Sequence, residues 1–328
     1  MKNFVAIIGV VLTISLQCHA QDAARKLTAT STELEKQLST LKVSDDLNKQ
    51  CTEDIAAARS ALKRGHLFLA LYTLQTCKLE LTSLAYTASS NETFEDARRR
   101  FGLELDQKQK TLAASKHNLL LALVVALADA SQAQAMRPSQ SRSRAVGTDT
   151  TEGIKQLARV AANLDFAIFC SGLHLSPPKT EVKFRRITTE LTKLGTAALQ
   201  TYKSADFTKQ QSQFDRLKSN IELAGELNAA SMFEAALFKY LESQLFFGLI
   251  ITTAENQDLQ HLRERSKELG KLLTTGKQDQ SIGVLFWQMA EDALTPVAPN
   301  NEEIKTAVVV LNRVMPSYFD YMKTLGAQ

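Results

Sequence analysis

The sequence has little of what interrupts helices: its 328 residues include 13 glycines and 6 prolines. Glycine supplies left-handed backbone and proline removes a donor, so a chain short of both has few obligatory turns. No segment sustains the apolar–polar alternation of a strand. Histidine is scarce too. Beyond residue 20 only His66, His117, His174 and His261 occur, and no two stand at metal-ligand spacing. His261 and Glu264 lie one helical turn apart, but a metal site in a helical bundle needs several inward-facing ligands. A glycine-rich phosphate loop and a Gly-x-Ser-x-Gly turn are both missing. The acidic pair Glu302-Glu303 suits a helix start better than acid–base chemistry. The chain therefore reads as a non-enzyme, with no catalytic, cofactor-binding or metal-binding residue expected.

An excess of one charge is also lacking. The formal net charge is +4, and without Lys2 it is +3. Binding phosphate backbones calls for Lys and Arg clustered on one face. The runs Arg98-Arg99-Arg100 and Arg185-Arg186 are short and mixed with acids, as on solvated helix faces. No nucleic-acid partner is expected.

One apolar run is present, at the start. Lys2 precedes Phe4 to Leu16, interrupted only by Gly9, Thr13 and Ser15, and Cys18-His19-Ala20 ends in a small residue. This is the three-part pattern of a secretory signal cleaved after Ala20. The run is shorter than the ~20 apolar residues of a spanning helix. Ser15-Leu16-Gln17 ahead of Cys18 fits a lipid-anchoring signal poorly. The expected location is periplasmic or extracellular, and membrane contact is not favoured.

Beyond the signal the fold class is all-α. Leu47, Cys51, Ile55, Ala58 and Leu62 form one apolar stripe, with Ser44-Asp45-Asp46 as cap and acidic first turn and Gly65 as terminator. The next helix, Leu67 to Tyr86, is apolar nearly all round and is expected between neighbours. Ser89 and Glu92 suggest a capping box for a helical stretch reaching Met136, with a break near Gly102 or Ser115. Arg137 to Thr150, with Pro138, Gly147 and repeated Ser and Arg, reads as a linker between helical halves 21–136 and 151–328. Six more helices are expected at about 182–203, 206–227, 232–254, 259–273, 281–294 and 302–325. Asn300 and Glu303 form a capping box for the last. Asn91-Glu92-Thr93 matches a sugar-acceptor pattern but reads as a polar loop.

The run Gly65-His66-Leu67-Phe68-Leu69-Ala70-Leu71-Tyr72-Thr73-Leu74 resembles the second helix of tetratricopeptide repeats, with small Ala57, Ala58 and Ala61 on the first helix. Leu223-Ala224, Leu227, Phe233, Ala236, Leu237 and Tyr240 give a second instance. The family's Trp-Leu-Gly-Tyr first-helix pattern has no counterpart here. The resemblance implies stacked hairpins presenting a concave face to a peptide or protein; an irregular α-bundle is the alternative architecture.

Cysteine is the remaining scarcity. After cleavage Cys51, Cys77 and Cys170 remain. Folding back at Gly65 brings Cys51 and Cys77 to the same height, and in an oxidising compartment a disulfide follows; Cys170 is expected as a buried thiol. Among the aromatics, Phe246, Phe247, Trp287 and Tyr318 are the candidates for an apolar groove. The expected function is an exported interaction scaffold for a protein or peptide; the alternative is a helical carrier of an apolar ligand or a membrane-associated bundle.

Overall fold

The computed structural model describes residues 2–88, 93–115, 121–137, 150–173, 182–204, 211–253, 257–275 and 278–326, with most of their side chains from residue 21 onward. Helices α1 Lys2–Thr40, α2 Asp45–Lys63, α3 Leu67–Ala88, α4 Phe94–Ser115, α5 Ala122–Met136 and α6 Thr150–Ser171 come first. They are followed by α7 Thr188–Ser204, α8 Gln211–Ala229, α9 Phe233–Ile251, α10 Leu259–Thr275 and α11 Ser281–Leu294. Helices α12 Asn301–Val309 and α13 Met315–Gly326 are joined by a π-turn at Val310–Val314. Among the described residues there is no strand, and the protein is all-α. No helix of the described residues is long and apolar enough to cross a membrane.

The chain divides into two units, Met1–Pro177 and Pro178–Gln328. The expected division at 137–150 is thus corrected: α6 packs on α3, α4 and α5, within the first unit. Its stripe Ile154, Ala158 and Ala161 is buried against Ala97 and Phe101 of α4. A polar composition at 137–150 marks a connection, whereas a boundary lies where packing stops. Residues 138–149 themselves lie outside the described residues.

Local chemistry explains several helix ends. The Ser44 side chain accepts from Leu47 N–H, ahead of Asp45 and Asp46. Asn300 and Glu303 make the expected capping box on α12. For α4 the expected box falls partly on residues 89–92, outside the described residues; the cap seen is Thr93, whose hydroxyl accepts from Asp96 N–H at 3.2 Å. Helix α4 runs through Gly102 without a break.

The turn between α2 and α3 hinges on Gly65, at φ +76°. Gly65 N–H donates to Leu62 O at 3.0 Å and His66 N–H to Ala61 O at 2.9 Å. These are the paired bonds of a Schellman closure, which needs a left-handed residue. The α8–α9 turn makes the same closure around Ser231, at φ +62°. There Ser231 N–H donates to Asn228 O at 3.3 Å and Met232 N–H to Leu227 O at 2.9 Å.

The likeness extends through both units. The second hairpin stands 166 positions after the first (from 45 to 211 at the start of the first helix, from 65 to 231 at the turn), and both first helices have 19 residues. In each unit one helix precedes the hairpin and packs on both its arms, α1 on α2 and α3, α7 on α8 and α9. In each, the closing helix covers the third, fourth and fifth: α6 on α3, α4 and α5; α12 with its π-turn on α9, α10 and α11. Buried Ala23, Leu27 and Leu34 repeat the spacing of Ile187, Leu191 and Ala198. With α12, its π-turn and α13 taken as one closing helix, each unit has six helices among the described residues, and the two share a preceding helix, a like-closed hairpin and a closing helix.

Cys51 and Cys77 are bridged across the first hairpin, both fully buried, with Cα atoms 5.1 Å apart. Among the described residues, Cys170 is a free, buried cysteine. Glycines permit close helix contacts elsewhere: a Cβ on Gly270 would stand 2.6 Å from the Trp287 ring.

Two stability changes test this account. Cys51→Ala with Cys77→Ala is expected to lower unfolding free energy by about 3–4 kcal/mol, read by urea denaturation, with dithiothreitol reproducing the loss on the unmutated protein. Ser231→Gly is expected to raise it by about 1 kcal/mol, because glycine carries no left-handed penalty. A decrease on Ser231→Gly contradicts the turn geometry.

Candidate functional site

The pattern of residues 182–203 predicts one helix, yet 182–187 are non-helical and α7 begins at Thr188. Tertiary bonds outcompete the helix there. Ile187 is fully buried, and its N–H donates to Asn228 Oδ1 at 2.9 Å. The Asn228 amide also donates to Thr188 Oγ1 at 3.1 Å. Two residues earlier, Arg185 N–H donates to the Tyr321 hydroxyl at 2.7 Å, and that hydroxyl donates to Arg185 O at 2.9 Å. Both backbone groups of one residue reach one oxygen only when they point the same way, as in extended chain. The Phe184 ring stacks on Tyr321, centroids 6.4 Å apart and 15° from parallel.

Tyr321 is 3% exposed. Burial pushes its hydroxyl up to about 12, with Arg185 pulling down and Glu234 and Glu190 pushing up. It keeps its proton at neutral pH and can donate to Arg185 O throughout that range.

This strap borders two open depressions that share Arg186 and Thr188. The first, of about 460 Å³, runs between Leu191 and Thr192 of α7 and Gly225 and Ala229 of α8. The second, of about 540 Å³, is lined by Phe184, Arg185, Glu190 and Phe233. Both fall in the size range of binding clefts. Arg185 and Arg186 are exposed, and neither guanidinium has an ion pair among the described residues. The arrangement can hold a polar, negatively charged chain against an apolar floor.

The sequence-derived groove candidates lie elsewhere and serve packing. Tyr318 is 1% exposed, its ring filling the space beside Gly283, with Phe319 5.6 Å away. Phe247 is 3% exposed, with Arg313 4.5 Å from its ring centre. Half-buried Phe246 lies under Arg216 at 5.2 Å. Trp287, also half-buried, covers Gly270 and donates from its indole N–H to Ser266 O at 2.9 Å. The expectation that these four line a groove is corrected: glycines on facing helices give the two largest rings room inside the fold. Of the sequence candidates, Cys51 and Cys77 alone come together.

A polar cluster in the first unit had no sequence signal, because its members are far apart in the chain. Tyr86 donates to Asp165 at 2.6 Å, Lys108 donates to Tyr86 at 2.7 Å and pairs with Asp165, and Glu104 lies 3.3 Å from Lys108. Burial and the Asp165 bond push the Tyr86 phenol well above its ordinary range. The cluster ties α3, α4 and α6 together. Nearby, burial lowers Lys78, which stands 4.9 Å over the Phe169 ring, and raises the Cys170 thiol. Among the described residues no group of His, Cys, Asp and Glu could hold a metal ion.

No protein-family model matches the chain, and neither a curated protein nor a solved structure is significantly similar to it.

The Tyr321 anchor has a direct test. Tyr321→Phe removes both bonds to Arg185 and is expected to speed amide hydrogen exchange at Arg185 at least about tenfold, at a global cost of about 1–2 kcal/mol. Unchanged protection at Arg185 contradicts the anchor.

Proposed function

We propose that the chain is an exported, non-enzymatic helical scaffold that docks a protein or peptide partner in the open groove beside α7. The observation carrying this reading is the groove itself: open, mixed in polarity, and bordered by two exposed arginines and a fixed backbone strap. Its walls are helices and the strap is bonded at Arg185 and Ile187, so it is preorganised for a ligand. Each unit contributes one hairpin, α2–α3 and α8–α9, with the same turn closure, and in the tetratricopeptide-like reading binding follows from the shape of such hairpins. The carrier reading has no such support, since the aromatics that favoured it are consumed in packing.

One observation supports export: a buried disulfide is characteristic of oxidising compartments.

In-cell photo-crosslinking from Thr192 or Ala229, with Leu272 as a surface control, tests docking. One discrete adduct from both groove positions and none from the control is expected. Equal labelling from all three positions, or none, overturns the groove reading. N-terminal sequencing of the protein from its native host should begin at Gln21; an intact Met1 overturns export.

A further inference from the structure

The strap presents more than side chains. Arg185 turns its N–H and C=O inward to Tyr321, and Ile187 turns its N–H inward to Asn228. In extended backbone the hydrogen-bonding direction alternates from residue to residue, so Phe184 and Arg186 direct theirs the other way. Neither makes a backbone hydrogen bond among the described residues. The outward side of the strap thus resembles a free sheet edge, which an extended chain can extend by main-chain pairing.

Charge selects what would pair there. Lys183, Arg185 and Arg186 are exposed within four residues, and Glu190 is the carboxylate lining the same depression. The first turn of α7 adds the partial positive charge of a helix start. Apolar surface is supplied by Phe184, Phe233 and Leu191. Side chains of an extended peptide point alternately to two sides. Arg185 and Arg186, adjacent in the extended strap, project to opposite faces, so carboxylates on either side of a paired peptide meet a cation, while its small apolar residues can lie over Phe184 and Phe233.

We propose that the strap 184–186 binds an extended acidic peptide by edge pairing at Phe184 and Arg186, with Arg185 and Arg186 reading its carboxylates. This rests on the groove being the docking site and adds the class and conformation of the partner. Elsewhere, the Tyr86, Lys108 and Asp165 side chains are bonded to one another, and the exposed Leu272 and Val297 offer no feature that selects an occupant.

The probe is a fluorescein-labelled octapeptide alternating Glu with Val and Thr, titrated with the whole protein and followed by anisotropy. A version with Lys for Glu should bind at least about tenfold more weakly, as should the acidic peptide to Arg185→Gln/Arg186→Gln. Both arginines are exposed, so the variant should keep its circular dichroism and melting temperature. N-methylation of every second peptide amide is the sharper arm. Methylation in one register should abolish binding and in the other should leave it unchanged, because edge pairing uses alternate residues. Absence of acidic-peptide binding, or equal binding of the acidic and basic peptides, overturns the proposal. So does equal tolerance of methylation in both registers, which indicates charge attraction alone. Should Thr192 and Ala229 crosslink a partner in cells while the acidic peptide fails to bind, this inference falls and the docking reading stands.

Discussion

A helix can be closed and the chain turned back within three residues when one residue takes left-handed backbone, which lets the next helix start beside the first. The α2–α3 and α8–α9 hairpins turn in this way at Gly65 and Ser231 with the same pair of closing bonds. The turn fixes the register of everything beyond it. Because the closure at Gly65 sets the heights of α2 and α3, Cys51 and Cys77 face each other and can bridge. Because the closure at Ser231 sets α8 against α9, Asn228 stands at the end of α8, where its amide reaches Ile187 and Thr188. The staple in one unit and the groove wall in the other depend on the same local constraint.

Comparison of the units shows how a groove arises from a packing scaffold. In the first, Ala23, the counterpart of Ile187, lies inside α1. In the second, residues 182–187 are non-helical and lie as an extended strap on Tyr321 and Asn228. A helix satisfies its own backbone groups and offers a partner only side chains. An extended strap held from one side leaves alternate backbone groups for a partner. The two tertiary anchors therefore hold the segment and set the direction of the backbone groups at which pairing is proposed.

Much of the fold was legible because its causes are local. The caps at Ser44 and Asn300, the terminator at Gly65 and the stripe through Cys51, Ile55 and Ala58 each act within a few residues, and the structure has them where the pattern put them. The bridge was legible for the same reason, being set by distance from one turn. The groove was not. The 182–187 segment has helical periodicity, and what overrides it is Tyr321, 136 positions away from Arg185. The aromatic candidates failed in the opposite direction. Large rings signal either a core or a binding surface, and the deciding feature is a glycine on another helix: Gly270 for Trp287, Gly283 for Tyr318. The division of the chain was misplaced because composition locates polar connections, while the boundary depends on where α6 finds its partners.

The hairpin likeness has a physical content that similarity between residues would not reveal. Paired positions differ in identity: Gly65 against Ser231, Cys51 against Leu217, Cys77 against Ser243, Leu81 against Phe247. What is kept is burial and the backbone path, since the first pair shares a left-handed turn and the others share inward positions. Helix packing tolerates such exchange when volume is redistributed among neighbours, so a six-helix design can recur while its residues diverge. The bridge in the first hairpin and its replacement by Leu217 and Ser243 in the second are two ways of holding the same pair of helices. The unit without the staple is also the one that carries the groove, and there the buried side chains of Tyr321 and Asn228, reaching from outside the hairpin or from its end, supply the order that a binding edge requires.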